Sequence, residues 1–166
     1  MAQVISKLGA DISTDIIYPG RYMATVLPTE TPQYAFADDA ELNGKLKSKQ
    51  VPPGSVIVAD KNFGCGSSRE QACSCLKGYE LTIVARGFAR IFLQNSINLG
   101  LRLVTAPEAE ASEGDELEVT ADHVVNRTTG NSFALVPLPK ARQAIIDAGG
   151  LIPYTRKRIM EAAGRA

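Results

Sequence analysis

In the middle of the chain, the pattern of hydrophobic and polar positions switches repeatedly between one typical of strands and one typical of helices. Apolar, β-branched runs predict buried strands at 55–59, 81–85 and 101–105. The residues between them place apolar side chains at helical spacing, which predicts helices over 67–78 and 88–98. Because strand and helix alternate, the three strands are expected to lie parallel, joined by right-handed crossovers.

The two ends of the chain predict elements that flank this core. The pattern indicates a first strand at 3–8, two further strands at 116–121 and 132–136 around a hairpin connection at 126–131, and helices at 140–148 and 155–163. The expected fold is α/β, a single domain over residues 1–166 with a largely parallel central sheet, flanking helices and an added β-hairpin.

Residues 21–44 are predicted to form a long and mostly irregular loop. Pro28 and Pro32 interrupt regular structure, and only a short helix around Tyr34–Leu42 fits the pattern. The segment carries no lysine and, after its first residue, no arginine. Loops of this length in a compact domain usually serve a function or move, so we expect this one to contribute to function.

The stretch 61–77 holds the strongest candidate chemistry. Ser67 with Glu70 and Ser68 with Gln71 match two overlapping capping boxes, which predicts that a helix starts at the serines. The first N–H groups of a helix lack intrahelical partners and lie at the positive end of its dipole. The place therefore suits an anion or a developing oxyanion.

Glycines and an arginine complete this turn. Gly64 and Gly66 bracket Cys65 and allow close approach of the backbone, and Arg69 adds a cationic fork that matches a carboxylate or phosphate. Taken alone, the turn is also compatible with an ordinary capped start of a helix that binds nothing. It lacks the residues of a Walker A loop, a dinucleotide fingerprint or a nucleophile elbow. The prediction is an anion-binding turn with two hydroxyls and a guanidinium.

Composition and charge limit the classes of partner that this chain is expected to bind. Eighteen basic and eighteen acidic residues balance to no net charge, and no basic block indicates a nucleic-acid or membrane surface. No apolar run approaches the roughly 20 residues of a membrane span, and the first residues lack a signal-peptide hydrophobic segment. We therefore expect a cytoplasmic protein.

The cysteines and the single histidine do not form a predicted metal site. Cys65, Cys73 and Cys75 are odd in number and lack Cys-x-x-Cys spacing, which favours free thiols over disulfides or metal ligands. Cys65 is the one expected to approach a ligand. His123 lies next to an acidic residue near the predicted hairpin and is expected on the surface. No bound metal is predicted for this chain.

Three segments in order resemble a known family. They are Asp-Ile-Ser-Thr-Asp-Ile-Ile-Tyr-Pro-Gly-Arg-Tyr at 11–22, Asn-Phe-Gly-Cys-Gly-Ser-Ser-Arg-Glu-Gln-Ala at 62–72, and Ala-Arg-Gly-Phe-Ala-Arg-Ile-Phe-Leu-Gln-Asn-Ser-Ile-Asn-Leu-Gly-Leu at 85–101. Together they resemble the swivel domain of the aconitase superfamily in its stand-alone form, found in small subunits of 3-isopropylmalate dehydratase and its homoaconitase relatives. The implied fold is a β/β/α swivel domain.

The resemblance implies a hydro-lyase subunit that acts with a separate large subunit. The large subunit is expected to carry a [4Fe–4S] cluster, and the pair to interconvert 2- and 3-isopropylmalate in leucine biosynthesis. By matching positions, Ser67 is the catalytic base, Asp15 is the acid near the substrate hydroxyl, and Ser68 and Arg69 hold a substrate carboxylate. The further substrate contacts implied are Arg21, Tyr22, Met23, Ala24 and Thr25, in a substrate-specificity loop over 21–44.

Two features bear on the substrate and conflict. Gln71 follows the Arg-Glu pair where many isopropylmalate dehydratase small subunits have histidine, as in some homoaconitase-like sequences. Residues 23–27 supply no cation for a third carboxylate, which favours an apolar substituent because an unpaired buried carboxylate is costly. Isopropylmalate is therefore favoured, and homoaconitase or 2,3-dimethylmalate dehydratase is the alternative. A non-catalytic anion-binding regulatory module is a more distant one.

Overall fold

The structure is a computed structural model that describes residues 1–48 and 50–164. Its strands are β1 (Ala2–Lys7), β2 (Val56–Ala59), β3 (Thr82–Ala85), β4 (Arg102–Thr105), β5 (Glu116–Val119), β6 (His123–Asn126) and β7 (Ser132–Ala134). Its helices are α1 (Thr14–Ile17), α2 (Ala40–Lys47), α3 (Glu70–Gly78), α4 (Arg90–Leu99), α5 (Lys140–Asp147) and α6 (Leu151–Ala163), with short 3-10 turns at Gly20–Tyr22 and Thr31–Tyr34.

The seven strands form one sheet in the order β4-β3-β2-β1-β5-β6-β7. Strands β1 to β4 pair in parallel, whereas β5, β6 and β7 join them by antiparallel pairing. Thr105, at the end of edge strand β4, forms an antiparallel bridge with Val136 just beyond β7, so the two edges of the sheet approach each other. The predicted α/β fold with parallel crossover units is confirmed.

The parallel strands are buried on both faces, as expected for strands covered by crossover helices. Alternate positions point to opposite sides, so Val56 and Val58 contribute to one apolar cluster and Ile57 contributes to the other. The second cluster also takes the buried faces of α3 and α4, including Leu76 and Phe92. The sheet edge formed by the carboxyl ends of the strands is thereby held rigidly.

The predicted hairpin connection at 126–131 joins two antiparallel strands, β6 and β7, but the strand that precedes it, β6, was not predicted. Strand β6 lies between β5 and β7 and pairs with both, which makes a three-stranded meander. The polar turn before β6 is closed by Thr120 Oγ1, which accepts a hydrogen bond of 3.0 Å from the N–H of His123. Because these polar residues directly precede it, the short strand β6 does not stand out in the hydrophobic pattern of the sequence. His123 itself is half-exposed.

Two helix positions also differ from the expectations. The helix expected around 34–42 begins later, at Ala40, because the Asp39 side chain accepts a hydrogen bond of 2.9 Å from the N–H of Leu42. Helix α6 begins at Leu151 and not at 155, since Pro153 lies in its first turn, where a missing N–H is tolerated.

Candidate active site around Ser67

The turn at residues 60–69 leaves the carboxyl end of β2 and lies beside the loop that leaves β1. Ser13 and Cys65 form a parallel bridge, and the N–H of Thr14 donates to the Cys65 carbonyl at 2.8 Å. The N–H of Gly64 donates to the Ile12 carbonyl at 2.7 Å. Because neighbouring parallel strands end at the same edge, their loops converge there, which is where α/β proteins place ligand sites. Segments 11–22 and 62–72, which are distant in sequence, therefore build one surface.

Ser67 and Ser68 precede α3 and do not cap it. The helix begins at Glu70, its N-terminal flanking residue is Arg69, and no side chain of the described residues caps it. Both predicted capping boxes are therefore wrong. The competing interaction is with Thr14, whose Oγ1 lies 3.2 Å from Ser67 Oγ and accepts a hydrogen bond of 3.2 Å from the Ser67 N–H. Both serine residues remain exposed on the protein surface.

Gly64 adopts a conformation and a position that only glycine fits. Its φ is 81°, and a Cβ atom there would lie 2.1 Å from Cγ of Phe92. Phe92 packs edge-on against Phe63, with ring centroids 5.3 Å apart. The glycine therefore brings the backbone of the turn onto α4, and Gly66, with φ of 94°, lets the chain turn back towards Ser67. The predicted close approach is present, and its partner is an aromatic side chain.

Arg69 and Asp15 form an ion pair across the site. The guanidinium, whose side chain is 20% exposed, contacts Asp15 Oδ1 and also donates to the Tyr18 carbonyl at 3.2 Å. The Gly20 N–H donates to the same Asp15 oxygen at 2.9 Å. These hydrogen bonds, chiefly the one from Arg69, lower the pKa of Asp15 below its ordinary value. Asp15 is therefore a carboxylate, and Arg69 is held in place from two sides.

The other predicted substrate contacts follow directly on the same loop. Arg21 forms an ion pair with Asp38 through both of its terminal nitrogens, and its guanidinium carbon lies 4.7 Å from the Tyr22 ring centroid. Tyr22 in turn stacks on Tyr34 at a centroid distance of 4.1 Å. Arg21 is thus held within the loop by Asp38 and Tyr22, and its charge is already paired.

Met23, Ala24 and Thr25 form the next part of this loop, and two side chains fix its backbone. Tyr18 Oη donates to the Thr25 carbonyl at 3.3 Å, and Gln71 Nε2 donates to the Met23 carbonyl at 3.2 Å. Sequence reasoning missed the positioning role of Tyr18. It treated Gln71 only as a capping residue and a substrate marker. The helical register that turns Gln71 towards the loop is visible only in three dimensions.

The three cysteines differ sharply in their surroundings. Cys73 and Cys75 are buried, whereas Cys65 is half-buried in the turn next to Gly66. Burial raises the pKa of the Cys73 thiol to about 12, and it raises that of Cys75 well above its ordinary value. The predicted free thiols agree with this arrangement, because the three are all unpaired.

This difference predicts selective alkylation. With a small excess of iodoacetamide at pH 8, Cys65 is expected to react first, because only thiolate reacts and the two buried thiols remain protonated and enclosed. Peptide mass spectrometry at several times measures the order of modification. Equal rates at all three positions in the folded protein would contradict the burial described, and urea-unfolded protein provides the control in which the rates converge.

The described residues contain neither a metal-binding cluster of side chains nor a helix that could span a membrane. Across 1–48 and 50–164, no group of three or more histidine, cysteine, aspartate or glutamate side chains is placed to hold a metal ion. Within these ranges every helix is too short or too polar to cross a lipid bilayer. The residues of the site therefore offer hydroxyls, a guanidinium and a carboxylate, which suit recognition of a small acid and proton transfer.

Comparisons with known proteins agree on one family. Residues 8–109 match the family described as "Aconitase C-terminal domain". A protein of Heliobacterium modesticaldum named 3-isopropylmalate dehydratase small subunit is 44% identical over 160 residues, covering 93% of this chain and 94% of that one. A Methanocaldococcus jannaschii protein named isopropylmalate/citramalate isomerase small subunit is 41% identical over 162 residues, with 94% of both chains covered.

A solved structure extends the agreement to the fold. The crystal structure of 3-isopropylmalate dehydratase (leuD) from Methanocaldococcus jannaschii superposes with a TM-score of 0.87 at 35% identity. The alignment covers 99% of this chain and 98% of that one. The sequence and structural comparisons therefore both span nearly the whole length of this chain and of the proteins that it matches.

Proposed function

Because this chain belongs to the aconitase C-terminal domain family, we propose that it is the small subunit of a 3-isopropylmalate dehydratase. In this proposal it works with a large subunit to interconvert 2- and 3-isopropylmalate by dehydration and rehydration. The observation that carries it is the convergence of Ser67, Arg69 and Asp15 on one exposed surface, in a chain similar over its length to such subunits. The family resemblance predicted from three sequence motifs is confirmed.

Ser67 is proposed as the base that takes the proton from the substrate carbon. Its hydroxyl is exposed, and among the described residues its one side-chain neighbour within hydrogen-bond distance is Thr14 Oγ1, at 3.2 Å. A serine hydroxyl is a weak base, so its alkoxide needs directed donors and exclusion of water. The Thr14 hydroxyl can donate to it, and the neighbouring Arg69 guanidinium favours negative charge. Covering by a partner would then exclude water from this open surface.

Arg69 is proposed to hold a substrate carboxylate, with Ser68 beside it. The guanidinium has five donors, and the contacts to Asp15 and the Tyr18 carbonyl both use one nitrogen, Nη1. The remaining donors can form the paired hydrogen bonds that a carboxylate accepts. Asp15 fixes the orientation of this fork.

Asp15 is proposed to face the substrate hydroxyl. Since its pKa is lowered, it is ionised at neutral pH and favours a role as hydrogen-bond acceptor for that hydroxyl over a role as proton donor. A [4Fe–4S] cluster bound by the large subunit would supply Lewis-acid assistance to loss or addition of the hydroxyl group. This chain would contribute the base, the carboxylate clamp and the acceptor.

The loop at Met23, Ala24 and Thr25 is proposed to contact the substituent that distinguishes one malate from another. These residues carry no charge, and Arg21 is already paired with Asp38. A third carboxylate, as in homocitrate-type substrates, would find no free cation among these loop residues. The loop therefore favours an alkyl group. Citramalate-type substrates, which carry a methyl group, form the second candidate class because of the relative named isopropylmalate/citramalate isomerase.

A substrate panel tests the proposal. The chain is combined with the large subunit of the same organism after anaerobic cluster reconstitution, and formation of the unsaturated intermediate is followed by ultraviolet absorbance. We expect kcat/KM for 3-isopropylmalate to exceed that for homocitrate by at least about 100-fold, because an unpaired buried carboxylate is heavily penalised. A preference for homocitrate would instead identify a homoaconitase. No turnover of any alkylmalate would contradict the proposed function.

A further inference from the structure

The third of the segments that resemble the family, residues 85–101, supplies no side chain to the proposed chemistry, but it supports the turn at 60–69. Phe63 forms a parallel bridge with Phe88, and its N–H donates to the Gly87 carbonyl at 3.0 Å. The Phe63 carbonyl accepts a hydrogen bond of 2.9 Å from the N–H of Ala89. The first half of the turn is thereby fixed to the residues that lead into α4.

Two side chains on one face of α4 reach the rest of this turn. Phe92 and Asn95 are three positions apart, so they lie on the same side of the helix. Phe92 packs where Gly64 leaves room for it. Asn95 is half-buried, and its Nδ2 donates to the Ser68 carbonyl at 3.4 Å. One helix face therefore supports both ends of the stretch from Gly64 to Ser68.

The backbone of the two serines is held by one side chain at each end. The Ser67 N–H donates to Thr14 Oγ1 at 3.2 Å, whereas the Ser68 carbonyl accepts from Asn95. Among the described residues, these are the two hydrogen bonds between a side chain and this part of the backbone. Because α3 begins only at Glu70, the serines lie outside its hydrogen-bonded turns. Their placement therefore depends on Thr14 and Asn95.

The contact from Asn95 also sets the direction of the next N–H. A peptide unit is planar and trans, so the Arg69 N–H points away from the Ser68 oxygen that Asn95 holds. A carbonyl oxygen only accepts hydrogen bonds, so the side chain that meets it must donate. An amide nitrogen meets this requirement, whereas a carboxylate of the same shape would repel the carbonyl.

We propose that Asn95 is a positioning residue for Ser67. This inference rests on the proposed function, in which Ser67 Oγ takes the proton from the substrate carbon. A base must lie within hydrogen-bond reach of the proton that it removes, and a misplacement of about 1 Å can cost about 100-fold in rate. Loss of the Asn95 contact therefore lowers the rate although no group that touches substrate is removed.

The substitution Asn95→Asp tests this role in the complex with the large subunit, because it keeps the shape of the side chain and replaces the donor by an acceptor. We expect kcat for 3-isopropylmalate to fall about 30-fold at saturating large subunit, with KM within about 3-fold. Asn98→Asp is the matched control, since Asn98 lies one turn further along α4, accepts from Gln94 and gains the same charge. Initial rates over a range of substrate concentrations should show both constants unchanged in the control.

A second substitution, Asn95→Ala, separates the lost donor from the added charge. It should lower kcat to a similar extent and unfold within about 3 °C of the unsubstituted chain, because the side chain is only half-buried. Hydrogen–deuterium exchange of the full chain alone should be about 10-fold faster at residues 66–69 in both Asn95 variants, and unchanged in Asn98→Asp. Added to Ser67→Ala, Asn95→Ala should lower kcat by less than about 3-fold more, because it acts through Ser67.

The outcomes separate this inference from the proposed function. If kcat of both Asn95 variants equals that of Asn98→Asp in an otherwise active complex, Asn95 does not position Ser67 and the proposed function stands. Unchanged exchange at 66–69, or a full further loss of rate in the Ser67→Ala chain, would also overturn the inference. Faster exchange in the Asn95 variants, together with no turnover of any alkylmalate by the unsubstituted complex, would contradict the proposed function and support the anchoring of the turn by Asn95.

Discussion

Ser67→Ala is expected to lower kcat for 3-isopropylmalate about 1000-fold while leaving KM within a few-fold, because positioned proton transfer contributes on this scale. The substitution removes the oxygen proposed to take the substrate proton. It leaves Arg69 and its ion pair with Asp15 unchanged. An interaction used only in the transition state affects kcat more than KM. Steady-state rates of the reconstituted complex, with saturating large subunit, measure both constants.

A remote serine provides the matched control for this prediction. Ser132 is exposed on β7, and Ser132→Ala should leave kcat and KM unchanged. Binding of Ser67→Ala to the large subunit should equal that of the unsubstituted chain, which separates lost chemistry from lost assembly. A variant that retains more than a tenth of the turnover would remove Ser67 from the role of base.

The parallel core could be predicted because each step depends on local sequence. Continuous β-branched runs at β2 and β3 predict strands buried on both faces, and the intervening helical spacing imposes parallel crossovers. The convergence of Asp15 with Arg69 follows from the same logic, since both lie just beyond carboxyl ends of neighbouring strands. The hydrophobic pattern did not place β1 beside β2, so only the family resemblance brought Asp15 and Arg69 into one candidate site before the strand order was known.

The errors arose where a tertiary contact competes with a local one. A serine three residues before glutamate predicts a capping box, but Ser67 bonds instead to Thr14, 53 positions away in the chain. Similarly, Gln71 reaches the Met23 carbonyl and not the backbone of its own helix. Local propensity has no information about such partners. The same limit explains why the pairing of Arg21 with Asp38 could not be foreseen.

The two arginines of the site differ in what they can offer a ligand. Arg21 uses both terminal nitrogens on Asp38, whereas Arg69 uses only Nη1 on Asp15 and the Tyr18 carbonyl. A bidentate pair occupies the guanidinium edge that carboxylates prefer. Arg69 therefore retains donors for a substrate, and Arg21 serves the loop. This comparison supports the proposed role in substrate recognition for Arg69, the less exposed of the two cations.

Arg69→Lys is accordingly expected to lower kcat/KM about 100-fold, because lysine keeps the charge and loses the planar fork that pairs with a carboxylate. Retained charge preserves attraction to Asp15, so the variant should fold and bind the large subunit normally. Arg127→Lys is the matched control, since Arg127 is also paired with a carboxylate, that of Glu118, on the remote meander. If the guanidinium binds the substrate and the transition state equally well, the lower kcat/KM should come mainly from a higher KM. Initial rates over a range of substrate concentrations measure both constants. Activity equal to that of the Arg127→Lys complex would show that a point charge suffices, and the proposed carboxylate clamp would then be wrong.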